Sequence, residues 1–424
     1  MQKEDCMKKR LLALLLTLSI TTISLTGCGS KIQATNLMEE KKPANPVKMT
    51  SISETNTIAA TDFAVRLFQQ AKNGEENTLI SPLSVLPALS MTCNGAKDET
   101  RFQMEQTLGM PADKLNDYLY SYIHHLPNEK DCQFHLANSI WLRDAKDFIV
   151  DDNFLKNNAK YYDAGIYQSA FDDQTLADIN NWVAAQTNDM IPTILDQIDS
   201  DAYMYLINAL SFDSKWSSIY ESSSVSNDVF TTENGTSQDV ELMHSSEYEY
   251  IEDENVSGFL KPYSGYSYAF VALLPKEGIP LTEYVNSLTG EHLHHLLTTV
   301  EECPITAGIP KFETEFSIDL IPPLQTLGIH DAFDKDLANF SGMGSFDSPW
   351  ERLYINSILH KSFFSIGEKG TKAGASTIIG MEKSASSINP EEAKEVILDR
   401  PFLYMIVDYE NRFPIFIGTA DDMQ

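Results

Sequence analysis

The sequence predicts an α+β domain that follows a short N-terminal leader. Apolar residues at helical spacing occur mainly in the first half of the chain, and strand patterns occur mainly in the second half. Helices and strands that are separated in this way build antiparallel or mixed sheets, whereas a parallel sheet requires them to alternate. After the leader we find neither an internal repeat nor a shift in composition. The rest of the chain is therefore expected to form one large domain.

The first 27 residues are typical of an export signal. Three basic residues at positions 8–10 precede an apolar run over residues 11–25, which is too short for a stable membrane span. The run ends in LTGC, residues 25–28, which resembles the bacterial lipobox, whose cysteine is acylated and becomes the mature N-terminus. We therefore expect lipidation at Cys28 and a location at the bacterial cell membrane or surface, with extracellular release as a further fate. An ordinary signal peptide that ends near a chance cysteine is the alternative.

A polar segment over residues 28–54 follows the signal. It is rich in Ser, Thr, Lys, Asn and Pro. A coil of roughly 26 residues has a root-mean-square span of about 28 Å. We therefore expect a tether that holds the following domain, residues 55–424, clear of a membrane.

The charge of the chain restricts its partners. Asp and Glu number 61 against 31 Lys and Arg, which gives a net charge of −30. Such a surface repels a phosphate backbone and favours encounter with cationic proteins. We therefore expect no nucleic acid among the partners.

Cys93, Cys132 and Cys303 are the cysteines of the predicted domain. Their spacing matches no metal-binding motif, and an odd number in an exported protein gives no disulfide framework. We interpret them as idle thiols, and a single pair among them stays open.

Three segments of the first half predict helices. In residues 57–73 apolar residues recur on one helical face, and an Asn-Gly pair then breaks the pattern. Residues 81–96 begin with Ser-Pro, which favours a helix start because proline is tolerated in the first turn. Residues 178–195 form the third predicted helix, and Pro192 marks a turn near its end.

Strand patterns occupy most of the second half of the chain. The apolar and β-branched runs indicate strands over 204–216, 268–278 and 308–320. A fourth apolar run, over residues 400–420, predicts a β-hairpin around residues 410–412. These strands supply the sheets of the predicted α+β domain.

The sequence lacks the motifs of a hydrolase or a metalloenzyme. It contains no GxSxG, no HExxH and no glycine-rich phosphate loop after a strand, and residues 234–236, Asn-Gly-Thr, are most simply a hairpin turn. His292 and His295 could hold a metal ion, but no clear third ligand accompanies them, so a solvated helix face is the favoured interpretation. We expect no catalytic residue, metal or cofactor.

Residues 367–377, GEKGTKAGAST, carry no bulky apolar side chain although they follow a strand pattern. From residue 371 to residue 381 every second position is small or apolar, whereas most of the positions between them are small or charged. This period of two is typical of a half-buried strand, yet three glycines weaken it and Gly370 offers a hinge. We interpret the segment as one that is able to occupy a sheet without being required there. A long irregular loop is the alternative.

The stretch EKGTKAGAST closely resembles the hinge of the serpins, the family of serine protease inhibitors. Four further segments resemble the family in the same order: NTLISPLS (77–84), LINALSFDSKW (206–216), LYINSILHKSFFSIGEKGT (353–371) and RPFLYMIVDYENRFPIFIGTA (400–420). The resemblance covers about residues 55–424. It implies the serpin fold, in which helices pack around three β-sheets and a reactive-centre loop is exposed.

The resemblance also implies a mechanism. A target serine protease attacks a bond in the loop and forms an acyl-enzyme, and the N-terminal part of the loop then inserts as a new central strand. The protease is carried to the far pole and is distorted before deacylation. The chain would then be a metastable monomer that is consumed as an inhibitor, not an enzyme. A non-inhibitory serpin that acts as a binding or structural protein is the alternative; bulky or charged inner-face hinge residues would favour it, and they are absent here.

Site residues follow from the resemblance, residue by residue. The hinge comprises Glu368, Lys369, Gly370, Thr371, Lys372, Ala373, Gly374, Ala375, Ser376 and Thr377. The family often has Glu where Lys372 stands, and this outward-facing position should tolerate the change. The polar shutter beneath the sheet comprises Ser81, Ser84, Asn208 and His360. At the breach, where the strand first enters, Trp216 is the aromatic residue and Lys311 is expected to pair with Glu368.

The usual spacing of the family, counted from Glu368, places the reactive bond between Ser384 and Ala385. The loop is several residues longer than usual before Pro401, so the bond between Lys383 and Ser384 is the runner-up. A serine before the bond predicts elastase-like or subtilisin-like targets, and a lysine predicts trypsin-like ones. Met381 would suit a chymotrypsin-like protease but would shorten the inserted strand.

Overall fold

The computed structural model describes residues 32–39, 41, 47–72, 74, 76–127, 132–145, 147–162, 165–199, 201–348, 350–371 and 393–424. The predicted export signal, Cys28 and the residues from Lys372 through the predicted reactive bond at Ser384–Ala385 lie outside these residues. The residues from Gln33 onward form one folded unit, and in its described part helices accompany three β-sheets. The α+β class predicted from the sequence is confirmed.

The described helices, numbered in chain order, are α1 (Glu54–Ala71), α2 (Pro82–Cys93), α3 (Asp98–Leu108), α4 (Ala112–His125), α5 (Asp152–Tyr161), α6 (Asp173–Gln186), α7 (Leu281–Ser287), α8 (Gly290–Thr298) and α9 (Ile321–Thr326). α1 buries the apolar face that its sequence predicts, including Phe63 and Leu67. α2 begins at the predicted Ser-Pro pair, where the side chain of Ser81 accepts a hydrogen bond from the amide of Ser84. All residues of α2 are buried, so this helix lies in the core.

The third predicted helix is shifted in the structure. α6 begins at Asp173 because Asp172 and Thr175 form a capping box, and it ends at Gln186 rather than near Pro192. The reason for the early end is local, because Asn188 and Asp189 adopt left-handed backbone angles, with φ of 50° and 58°. The prediction of a helix through residue 195 is therefore wrong in its last turns.

The described strands, also in chain order, are β1 (Thr35–Asn36), β2 (Thr78–Ile80), β3 (Cys132–Arg143), β4 (Phe148–Val150), β5 (Gly165–Ser169), β6 (Met204–Lys215), β7 (Val225–Thr231), β8 (Ser237–Glu252), β9 (Val256–Pro262), β10 (Tyr268–Pro275), β11 (Glu301–Pro310), β12 (Phe312–Asp319), β13 (Gly344–Phe346), β14 (Ser357–Gly367), β15 (Gly370–Thr371), β16 (Lys394–Ile397), β17 (Phe402–Asp408) and β18 (Pro414–Ala420).

The main sheet runs in the order β1-β5-β3-β6-β15-β14-β12. The second sheet runs in the order β16-β11-β8-β9-β10-β17-β18-β2, with β7 beside β8, and β4 pairs with β13 in a third. Two predicted turns are confirmed. Gly235, with φ of 86°, lies between β7 and β8, and β17 and β18 form the predicted hairpin at the C-terminus.

The predicted strand over 308–320 is two strands that belong to different sheets. β11 ends at Pro310 beside β8, and β12 begins at Phe312 beside β14. Between them the amide of Lys311 donates to the carbonyl oxygen of Glu241 at 2.9 Å. The strand-like pattern of the sequence continues through Lys311, which explains why the sequence does not show the change of sheet.

Part of the predicted tether is an edge strand of the main sheet. β1 pairs with β5, and the amides of Gln33 and Ala34 donate to one carboxylate oxygen of Asp178 at 2.8 and 2.7 Å. Leu37 packs against the core. The expected coil is therefore replaced by ordered backbone at these residues, because a buried carboxylate and an apolar contact hold them.

No disulfide forms among Cys93, Cys132 and Cys303 in the structure. Burial raises the pKa of the Cys93 thiol to about 12, which keeps it protonated and inert near neutral pH. Within the described part of the chain, no helix is both long enough and apolar enough to cross a bilayer.

Candidate strand-insertion site

The centre of the main sheet contains two parallel strands that are paired along only part of their length. β6 and β14 pair from Tyr205 to Leu210 and from Ser357 to Ser362. Beyond that part, β15 lies between them and runs antiparallel to both. We call the space between β6 and β14 the insertion gap, and the end that β15 enters its upper end. Gly370 and Thr371 of the predicted hinge therefore lie inside the sheet.

Gly370 allows the chain to turn into the insertion gap. Its φ of 146° is a conformation that other residues rarely adopt. A Cβ atom at this position would lie 2.0 Å from the carbonyl oxygen of Ser214, so the backbone of β6 leaves no space for a side chain. The close return from Gly367 to Gly370 therefore requires a glycine at its end.

Thr371 is the last residue of the hinge that the structure describes, and it is 1% exposed. It pairs with Ile366 of β14 and Ser214 of β6. Its hydroxyl lies 2.5 Å from the hydroxyl of Tyr263, which is itself fully buried. The inward orientation that the period-two pattern predicts for residue 371 is confirmed.

Trp216 lies at the upper end of the insertion gap, directly after β6. Its indole nitrogen donates to the carbonyl oxygen of Gly367, and its amide donates to that of Lys369, each at 2.9 Å. Its ring stacks on Tyr263 with centroids 4.5 Å apart. The amide of Tyr220 donates to the carbonyl oxygen of Glu368 at 2.9 Å. Together these bonds hold the turn between β14 and β15.

The expected ion pair between Lys311 and Glu368 is present, and Lys311 also lies 3.2 Å from Glu241. The hydrogen bond from Lys311 is the main cause that lowers the pKa of the Glu368 carboxyl below its ordinary value. The side chain of Glu368 is 42% exposed, so water screens the pair. Its contribution to stability is therefore under about 1 kcal/mol.

Beneath the sheet, the four predicted shutter residues form one buried network. The Nδ1 atom of His360 donates to Asn208 Oδ1 at 2.5 Å, and Ser84 donates to the same oxygen at 3.3 Å. His360 Nε2 accepts from the amide of Ser81 at 3.1 Å and lies 2.9 Å from the hydroxyl of Ser362. Because Nε2 accepts an amide hydrogen, the imidazole is neutral.

His360 is expected to make the protein less stable as the pH falls below 6.5. Burial lowers the pKa of the imidazole from 6.5 to about 3, so between these values the unfolded chain binds more protons than the folded chain. The free energy of unfolding should fall by up to about 1.4 kcal/mol per pH unit in this window. Urea unfolding of wild type and His360→Gln at about pH 7 and about pH 5 measures the difference. Equal pH slopes for the two proteins would exclude the imidazole as the cause.

Several residues of the site were not predicted from the sequence: Tyr220, Tyr263 and Ser362. Ser362 can be found from the sequence, because it stands two positions after His360 on β14 and therefore points to the same side of the sheet. The contacts of Tyr220 and Tyr263 with the hinge join residues more than a hundred positions apart, and no local pattern reports them.

An open groove of about 560 Å³ lies beside the hinge at the upper end of the main sheet. Its lining combines residues of β3 and β6, the chain after α6, and the hinge turn, including His135, Asp213, Asn188 and Glu368. The groove is mixed in polarity. It leaves the turn between β14 and β15 accessible from one side.

The remaining predicted site residues lie elsewhere. His292 contacts Asp253 at 2.9 Å, and His295 lies 3.4 Å from the hydroxyl of Thr299. Among the described residues no group of three potential ligands could hold a metal ion. The hinge residues Lys372 to Thr377, the reactive-bond candidates Lys383, Ser384 and Ala385, and Cys28 lie outside the described residues.

Comparisons with known proteins agree with this geometry. The family model described as Serpin (serine protease inhibitor) matches residues 58–422. An uncharacterised serpin-like protein of Methanosarcina acetivorans is 28% identical over 98% of this chain and 98% of its own length.

The structures of a thermophilic serpin, tengpin, are also similar. Its native state gives a TM-score of 0.87 at 44% identity and covers 92% of this chain and 100% of its own. Its latent state gives 0.78 at 43% identity and covers 89% and 100%. Because the family match spans nearly the whole folded unit, this chain belongs to the serpin family, whose members are in general protease inhibitors rather than catalytic enzymes.

Proposed function

We propose that this chain inhibits serine proteases as a suicide substrate, by trapping the acyl-enzyme when its reactive loop inserts into the main sheet. The observation that carries the proposal is the position of β15. Gly370 and Thr371 already lie between β6 and β14 and run antiparallel to both. The chain that follows Thr371 therefore has a direction and a register in which to continue down the insertion gap.

The residues after Thr371 suit such an inserted strand. In a strand that continues from the buried Thr371, side chains at every second position face the same side, which brings Ala373, Ala375 and Thr377 inward. These side chains are small, so the strand can enter without displacing the core. Each ladder bond that it gains on either side adds about 0.5–1.5 kcal/mol net. The uninserted state is then metastable. The structure is more similar to native tengpin, with a TM-score of 0.87, than to latent tengpin, with a TM-score of 0.78, which supports its assignment to the uninserted state.

We further propose that the cleaved bond is Ser384–Ala385, with Lys383–Ser384 as the runner-up, and that the target is an elastase-like or subtilisin-like protease. Such proteases accept a small side chain before the bond that they cleave. The net charge of −30 would speed encounter with a cationic protease, and this contribution should weaken as salt is added. An association rate that does not depend on salt would exclude the net charge as a cause of faster encounter.

The proposal is tested by incubating the full chain with elastase, subtilisin and trypsin and separating the products on a denaturing gel. We expect an adduct that survives denaturation with at least one of the first two proteases, and no adduct with the same protease after its active-site serine has been blocked. Mass spectrometry of the released C-terminal peptide identifies the bond. Complete cleavage of the loop without any adduct would favour the non-inhibitory alternative.

Export and membrane attachment are part of the proposal. The basic and apolar leader that ends in LTGC supports acylation at Cys28, which would keep a monomeric inhibitor at the cell surface, where it meets proteases from outside. Detergent phase partitioning of wild type and Cys28→Ser from the producing cells tests this. If both proteins remain in the aqueous phase, no lipid is attached.

A further inference from the structure

A buried ion pair lies behind the residues that hold the hinge. The ammonium of Lys261 donates to a carboxylate oxygen of Glu247 at 2.7 Å, and the side chains are 2% and 9% exposed. The hydroxyl of Ser245 donates to the same oxygen at 2.7 Å. Removing two charges from water usually costs as much free energy as their attraction returns. A gain in stability therefore does not explain why charged residues occupy these positions. The contacts that the ion pair makes with its neighbours are more informative.

The ammonium of Lys261 also faces two aromatic rings. It lies 4.5 Å from the ring centre of Tyr220 and 5.4 Å from that of Trp216, within the range of a cation–π interaction. Glu247 fixes the position of the ammonium, and the ammonium attracts both rings. The pair thus constrains two residues that belong to the upper end of the insertion gap.

Those two residues connect the strands on either side of the insertion gap. Trp216 follows directly on β6, and its indole nitrogen bonds to Gly367 at the end of β14. The amides of Trp216 and Tyr220 bond to the next two carbonyl oxygens of the turn, those of Lys369 and Glu368. A shift of either ring would weaken these bonds and let the upper ends of β6 and β14 separate.

We propose that Lys261 and Glu247 are positioning residues for loop insertion: through Trp216 and Tyr220 they hold β6 and β14 in place around β15 at the upper end of the insertion gap, and so set the rate at which a strand enters. The inference rests on the proposed insertion mechanism. Loss of the pair should make the gap open more readily. The protein would then accept a strand faster, whether that strand is its own loop or an added peptide.

The experiment measures the uptake of a labelled synthetic peptide with the sequence of residues 371–382 by the full chain. We expect Lys261→Met to take up the peptide about tenfold faster than wild type, since it loses both the ion pair and the cation–π contacts. The control is Lys72→Met. Lys72 forms an equally buried pair with Asp421 at 3.0 Å, with side chains 3% and 2% exposed, in the chain after α1 and β18. This variant should lose stability without faster uptake.

A second variant covers the case in which Lys261→Met fails to fold because Glu247 is left as an unpaired buried charge. Lys261→Met combined with Glu247→Gln removes that charge and keeps the volume, and it should still accelerate uptake. Uptake at the wild-type rate in both variants, or equal acceleration in Lys72→Met, would overturn the inference. If wild type forms protease adducts and takes up peptide, and the variants take up peptide at the wild-type rate, only the inference fails. If wild type neither forms adducts nor takes up peptide, the proposed function fails as well.

Discussion

Cleavage of the reactive loop is expected to raise the melting temperature of this protein by about 6 °C, because a net gain of about 5 kcal/mol is set against an unfolding entropy of about 0.8 kcal/mol/K for a domain of roughly 370 residues. A cut near Ser384 frees the segment after Thr371 from its C-terminal attachment. The segment can then continue from β15 along the insertion gap and form ladder bonds with β6 and β14. Those bonds, at about 0.5–1.5 kcal/mol each, must outweigh the entropy lost when the segment becomes ordered.

The measurement compares the thermal unfolding of intact and nicked protein by circular dichroism or calorimetry. Limited proteolysis within the loop supplies the nicked form, and mass spectrometry verifies a single cut. The same cut in a Thr371→Arg variant serves as the control, because a charged side chain at a buried position should prevent insertion. If nicked and intact wild type unfold at the same temperature, the loop has not entered the sheet and the trapping mechanism is excluded for this chain.

Much of the fold could be predicted from the sequence wherever a local pattern determines it. Periodicity gives the buried face of α1, Ser-Pro gives the start of α2, and the turn residues give the hairpin of β17 and β18. The pattern fails at Lys311, because a strand pattern says nothing about which sheet the strand joins. It also fails at β1, since two paired residues are too few to form a period.

The site divides in a similar way. The inward face of Thr371 follows from the alternation of small side chains, and the structure confirms it. The pairing of Lys311 with Glu368 came only from the resemblance to the serpins, because the two residues lie far apart in sequence. Lys261 and Glu247 were not predicted at all. Each of them reads as an ordinary polar position in a strand, and only the packing of β8 against β9 brings their charges together.

Thr371→Arg is expected to convert the proposed inhibitor into a substrate. Position 371 is 1% exposed and pairs with strands on both sides, and its hydroxyl bonds to Tyr263. A guanidinium at this position would have to leave water and displace the Thr371–Tyr263 bond. A desolvation cost of about 3 kcal/mol would slow insertion by about 150-fold. Deacylation would then finish before the protease could be trapped.

The measurement is the stoichiometry of inhibition together with the rate of loop cleavage, using a protease that forms an adduct with wild type. The variant should lose the adduct while kcat/KM for loop cleavage stays unchanged, since the substitution lies far in sequence from the cleaved bond. Lys369→Arg is the matched control, because it introduces a guanidinium two residues earlier at an exposed position and should inhibit as wild type does. A Thr371→Arg variant that still forms adducts at the wild-type stoichiometry would show that trapping does not require residue 371 to remain buried in the sheet. The insertion gap between β6 and β14 would then have no part in inhibition.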